Sequence, residues 1–268
     1  MENAALSDRQ RRLFDKNGFL VVPNALSAEE IKRYERVSDR MIDALDNKGS
    51  YVQLRPGIVQ EPAFHPLLTH SPAVPYIAQL LSPNIQLHTT AVIYKYPEPD
   101  SEETRMRRGW HRDAGITEDL GHANLPRVGI KAAYCLTDFH EPLSGMTLFA
   151  PGSHLLASPL TIPKGGADPE GAVDLRLNAG DLVLFENRVF HTAAPNLSDR
   201  VSKAAIFGYA YRWLGGYKEA MRSVQPDEAV LEQVDPIGQQ ILGAGDGLAR
   251  WAEEHGYARA PFEWVTEA

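Results

Sequence analysis

The chain has 268 residues, 43% hydrophobic and 23% charged, so it can bury a sizeable core and is not disordered by composition. Its 35 acids against 27 bases leave a net charge of −8, which argues against a nucleic-acid partner or an anionic membrane surface. The single cysteine, Cys135, excludes an internal disulfide and cysteine-based zinc sites. The start has no leader-like pattern, and no apolar run reaches membrane-spanning length. The expectation is a cytoplasmic protein without a membrane span, acting on a small molecule and compatible with a homodimer.

Ser7-Asp8-Arg9-Gln10 reads as a capping box that opens a helix over 8–16, ended by Gly18. Residues 19–22 read as a short strand. Ser27-Ala28-Glu29-Glu30 is a second capping box, and Ile31, Tyr34, Val37, Met41 and Leu45 then fall on one helical face. Residues 49–62 are turn-rich and read as an irregular segment, whose Gln53 and Arg55 are candidates to line a substrate pocket. Residues 86–96 read as a strand and 97–108 as a mobile loop. Short strands follow over 128–136, 146–150, 174–177, 181–186, 189–192 and 201–213, with turn signals between them. That spacing predicts a sandwich or barrel. Helical patterns return at 228–242 and 248–255. The expected organisation is one domain: a helical part over 1–85, a β core over about 86–213 and a helical tail over 214–268.

Chemistry concentrates around Gly109-Trp110-His111-Arg112-Asp113-Ala114-Gly115, read as a strand end running into a loop. On a strand, residues two apart point to the same side, so His111 and Asp113 face one spot. A His-x-Asp pair alone is a weak signal among nine histidines and many acids. His191, on a late strand, would complete two imidazoles and one carboxylate on one face of a metal, the ligand set of non-haem Fe(II) oxygenases. Arg200 lies nine positions after His191, at a strand start, and could form a bidentate pair with a carboxylate.

Trp110-His111-Arg112-Asp113, Pro151-Gly152-Ser153-His154 and the run from His191-Thr192-Ala193-Ala194-Pro195-Asn196 to Arg200 resemble the phytanoyl-CoA dioxygenase family. The resemblance covers about residues 13–213. It implies a double-stranded β-helix, a jelly-roll or cupin-like core, with Fe(II), 2-oxoglutarate and O2 as cofactor and co-substrates. His111, Asp113 and His191 would then ligate iron. Arg200 and Lys95 would hold 2-oxoglutarate, with Thr147 and Tyr134 beside it. Thr89 stands where ectoine hydroxylase has a substrate-binding glutamine, and Ala193 where some members have a serine. Trp110 would pack as a wall of the substrate site. Related halogenases replace the acid with a small residue, so Asp113 points to hydroxylation of an unactivated C–H bond with 2-oxoglutarate leaving as succinate. Desaturation, epoxidation or rearrangement by the same site, or a jelly roll that binds a metal or ligand without redox chemistry, are the alternatives.

Overall fold

The computed structural model describes residues 4–46, 49–113, 117–214 and 224–257. Ala114 and Gly115, and the tail segments 215–223 and 258–268, lie outside the described residues. Both capping boxes form. The Ser7 hydroxyl accepts from the Gln10 N–H at the start of α1 (Asp8–Asn17), and Ser27 does the same for Glu30 at the start of α2 (Ala28–Asp43). Gly18 ends α1 with φ 82°, and a Cβ there would come within 2.8 Å of His154 Nδ1. Only glycine combines that conformation with so close an approach.

Among the described residues nine strands follow in chain order: β1 (Phe19–Val22), β2 (Tyr51–Leu54), β3 (Ile85–Lys95), β4 (Gly129–Cys135), β5 (Thr147–Phe149), β6 (Val173–Asp174), β7 (Leu182–Glu186), β8 (His191–Ala193) and β9 (Ser202–Tyr211). They make an antiparallel six-stranded sheet in the order β1-β7-β4-β9-β3-β2 and a three-stranded sheet in the order β6-β5-β8. Isolated bridges at His111–His191, Phe139–Leu177 and Ser144–Asn196 extend the smaller sheet. This is the two-sheet jelly-roll arrangement, and the mainly β fold with flanking helices agrees with the reading of the sequence.

The outer face of the large sheet is apolar. Tyr34 from α2 stacks on Phe64 with centroids 5.8 Å apart, and Phe64 meets Phe207 of β9 at 6.4 Å. Each such ring contributes roughly 1.5–3 kcal/mol by leaving water. The tail joins the same core through Val230, Ile237, Ile241, Leu248 and Trp251. A buried Gln240 amide donates to the carbonyls of Pro83 (2.8 Å) and Ile85 (3.3 Å), pinning the tail to the start of β3. The expected helix over 228–242 is two, Glu228–Gln233 and Pro236–Ile241, because Pro236 has no N–H to continue the first and Asp235 caps the second. No helix among the described residues is long and apolar enough to cross a membrane.

Three other segments differ from expectation. The turn-rich segment contains β2, an edge strand whose register on β3 pairs Tyr51 with Lys95 and Gln53 with Ile93. The pattern is too short, and too soon broken by Pro56, to show period-two alternation by itself. Residues 97–108 are not simply a loop: Ser101 caps a helical turn, Glu102–Met106, and Arg108 is held by Asp168 at 2.7 Å. The His111 segment is a single bridge rather than a strand end.

Candidate metal centre and co-substrate cavity

The two candidate histidines are neighbours across the small sheet. His111 N–H donates to the His191 carbonyl at 3.0 Å, and the reverse bond is 3.1 Å. The backbone N–H of Asp113 donates to the Asn187 carbonyl at 2.8 Å. Between them, Arg112 turns the other way. Its guanidinium donates to the carbonyls of Arg188, Ser153 and Leu156 at 2.7–2.9 Å and lies over the Phe190 ring. Arg112 thus fixes the backbone that presents the ligands, and alternation places His111 and Asp113 on the cavity side.

His111, Asp113 and His191 each offer a ligand atom, and these atoms all lie within 4.8 Å of one another. Nδ1 of His111 donates to the Gly109 carbonyl at 2.7 Å, and Nδ1 of His191 donates to Val189 at 3.0 Å. Those bonds set the tautomers and leave both Nε2 lone pairs free for a metal. His191 Nε2 is 3.7 Å from Asp113 Oδ2, and His111 Nε2 is 3.9 Å from Oδ1. Asp113 Oδ2 is buried and has no hydrogen-bond partner. A buried carboxylate oxygen without a partner is costly, and a divalent cation held by the three side chains would satisfy it. Burial pushes the Asp113 carboxyl up, but the Lys131 ammonium, 2.7 Å from Oδ1, holds it well below the usual carboxylate range. Burial lowers His191 to about 4, so its ring is neutral and ready to ligate. Phe185 and Phe149 flank that ring at 5.0 and 6.2 Å.

A cavity of about 280 Å³ opens from these ligands into the barrel, with Lys95, Thr147, Gln53 and Arg55 on its wall. Lys95 is buried, and its Nζ donates to the Ala194 carbonyl at 2.5 Å. Burial lowers its ammonium to about 7. Gly145, at φ 88°, passes close beneath: a Cβ there would lie 3.1 Å from Ser202 and 3.3 Å from Lys95 Cδ. At the other end, the Arg55 guanidinium bonds the Thr89 hydroxyl, and the described residues give it no carboxylate partner.

Four expected site residues are not on the cavity wall. Arg200 is half exposed, in the turn before β9, and pairs with Glu141 at 3.2 Å. Strand β9 begins two residues later, and its cavity-facing positions are Ser202, Ala204 and Ile206. Tyr134 is fully buried on the outer, helix-packed face, where its hydroxyl meets His70 Nδ1 at 3.3 Å. Alternation along β4 sends Lys131 and Ala133 into the cavity and Tyr134 away from it. Trp110 points opposite to His111 and donates from Nε1 to the Ala167 carbonyl at 3.1 Å, off the cavity wall. Thr89 is buried at a β3 bulge and serves the cavity only through Arg55. The reading of the sequence missed Lys131, Ser202 and Tyr51, all on the cavity wall. A lone lysine in the apolar run Gly129–Cys135 was the available signal for Lys131.

Comparison with known proteins bears on the fold and the family. The chain is 25% identical over 242 residues to peroxisomal phytanoyl-CoA dioxygenase of Bos taurus, covering 78% of this chain and 70% of the relative. Among solved structures, HygX from Streptomyces hygroscopicus, crystallised with nickel and 2-oxoglutarate, superposes with a TM-score of 0.61 at 18% identity, over 77% of this chain and 88% of that one. The epimerase SnoN, in complex with Fe3+, alpha ketoglutarate and nogalamycin RO, gives 0.59 at 21% identity, over 76% and 82%. The family model for phytanoyl-CoA dioxygenase (PhyH) matches residues 14–205, from the end of the first helix into the start of β9, and the chain belongs to that family.

Proposed function

We propose that this Fe(II)- and 2-oxoglutarate-dependent dioxygenase hydroxylates an unactivated C–H bond of a small molecule that carries an anionic group. The observation that carries the reading is the convergence of two Nε2 lone pairs and the partnerless Asp113 oxygen at the floor of a cavity lined by cations. Iron, 2-oxoglutarate and O2 supply the oxidising power: one oxygen atom goes to the substrate and the other to succinate, with CO2 released.

The protein's own part is holding, orienting and drying. His111, Asp113 and His191 would hold the metal, two histidines and one carboxylate being the ligand set of non-haem iron oxygenases. Lys95 is the cation for the distal carboxylate of 2-oxoglutarate, with the Ser202 and Thr147 hydroxyls on the same wall. Arg200, half exposed and paired with Glu141, has no part in this reading. A buried ammonium gives a charge-assisted bond stronger than a neutral one, and its low dielectric surroundings strengthen it further. Phe149 and Phe185 pack against His191 and help keep water from the reacting centre. Arg55, bonded to Thr89, and Gln53 then remain to orient the substrate, and a guanidinium with no carboxylate partner among the described residues suits a carboxylate or similar anion.

Purified protein with Fe(II), 2-oxoglutarate and O2 should release succinate slowly, and small carboxylate-bearing candidates should raise that rate more than their neutral amides. No succinate under any of these conditions would contradict the reading. A second reading, oxidation that inverts or rearranges the substrate, is favoured by the similarity to SnoN, an epimerase. Incorporation of 18O from O2 into the product separates the two.

A further inference from the structure

Lys131 is the only charged side chain of β4, in the middle of the run Gly-Ile-Lys-Ala-Ala-Tyr-Cys. Its stem passes the Phe185 ring, with Nζ 5.7 Å from the centroid, and its Nζ lies 2.7 Å from Asp113 Oδ1. The Asp113 side chain is 14% exposed and that of Lys131 19%, so the pair is largely shielded from water. The carboxylate is therefore divided. Oδ1 belongs to Lys131, while Oδ2 faces His191 Nε2 at 3.7 Å and has no hydrogen-bond partner.

Two neutral imidazoles and one carboxylate would give a metal face with a formal charge of −1. With the Lys131 ammonium on that carboxylate the face is neutral. A neutral face holds a divalent cation less tightly, and once the cation is bound it attracts an anionic chelator more strongly. One unit charge at this range in a shielded site outweighs the loss of a single orienting hydrogen bond.

We propose that Lys131 is a positioning residue that confines Asp113 to one-oxygen ligation and shifts the affinity of the site from the metal towards the anionic co-substrate. The inference rests on the reading that His111, Asp113 and His191 hold the metal, and adds to it a role for a side chain that acts through Asp113.

The test is calorimetric titration of Ni(II), a redox-silent probe, into the metal-free full-length protein, followed by 2-oxoglutarate into the Ni(II)-loaded protein. Lys131→Met should bind Ni(II) about tenfold more tightly and 2-oxoglutarate about tenfold more weakly than wild type, the two shifts having opposite signs. Lys131→Arg, which keeps the charge, should stay within about threefold of wild type in both. Lys131→Gln repeats the test without charge should Lys131→Met fail to fold. Weakening of both affinities together, tighter Ni(II) with unchanged 2-oxoglutarate, or no shift in either would overturn the proposal. If wild type takes up no Ni(II), the ligand reading itself fails and takes this inference with it. If wild type binds Ni(II), the ratios between variants judge Lys131 alone.

Discussion

The two faces of the large sheet are built from alternate residues of the same strands and carry opposite chemistry. On β9, Ala205, Phe207 and Tyr209 pack outward under the helices, while Ser202, Ala204 and Ile206 face the cavity. On β4, Ala132 and Tyr134 face the helices, while Lys131 and Ala133 face the cavity. The outer face is filled with buried apolar side chains. The inner face alternates small residues, which leave room, with a few cations, which give that room a charge. Outer substitutions should therefore register as stability, and inner ones as affinity for metal or co-substrate at nearly unchanged stability.

The largest expected effect tests the inner face at its floor. His191→Ala should bring succinate formation to background while the melting temperature stays near wild type, as measured by coupled assay and thermal melt. Unfolding of that variant would mean the floor is structural after all. On the outer face, Phe207→Ala should cost roughly 3–5 kcal/mol in denaturant unfolding, from lost transfer energy and the cavity left behind. Any activity that survives should show an unchanged KM for 2-oxoglutarate.

Lys95→Met sharpens the contrast. It deletes a charged hydrogen bond worth roughly 1.5–3 kcal/mol, so KM for 2-oxoglutarate should rise about ten- to hundredfold with stability little changed. The same side chain predicts a pH dependence. Burial lowers its ammonium to about 7, and only the ammonium attracts a carboxylate. Affinity of the free enzyme for 2-oxoglutarate should therefore be highest below that pH and weaken as pH rises through it, and Lys95→Arg should flatten this limb. The stability sign is opposite. The folded state binds fewer protons than the unfolded chain between about 7 and 10.4, so the form without 2-oxoglutarate gains stability as pH rises through that window. The smallest effect is expected at Arg200→Ala. This residue is paired with Glu141 at the surface, so KM for 2-oxoglutarate should stay within about twofold, in keeping with the small worth of exposed pairs. A KM shift matching that of Lys95→Met would restore Arg200 to the site.

The pattern of success in reading the sequence has the same physical origin. His111 and Asp113 were legible because two-residue spacing is a local property of extended backbone, and His191 because it stands on a clearly marked late strand. The capping boxes at Ser7 and Ser27 are local too. Tyr134 and Lys131 were not legible. Alternation says that they face opposite ways, but which face is the cavity depends on β4 lying between β7 and β9, both distant in sequence. The placement of Arg200 was not legible for a related reason: the two-residue gap before β9 decides whether a side chain enters the barrel, and that boundary is set by pairing with Lys95 and Tyr94 on β3. β2 was hidden because its partner, β3, is also remote.

The most direct test of the metal centre is anaerobic titration of Fe(II) into wild type and His191→Ala with 2-oxoglutarate present, following the visible charge-transfer absorption of the chelated metal. Wild type should develop the band in proportion to added Fe(II) and saturate at one ion per chain, and His191→Ala should develop none. An equal band in both proteins, or none in wild type, would contradict a centre built from His111, Asp113 and His191.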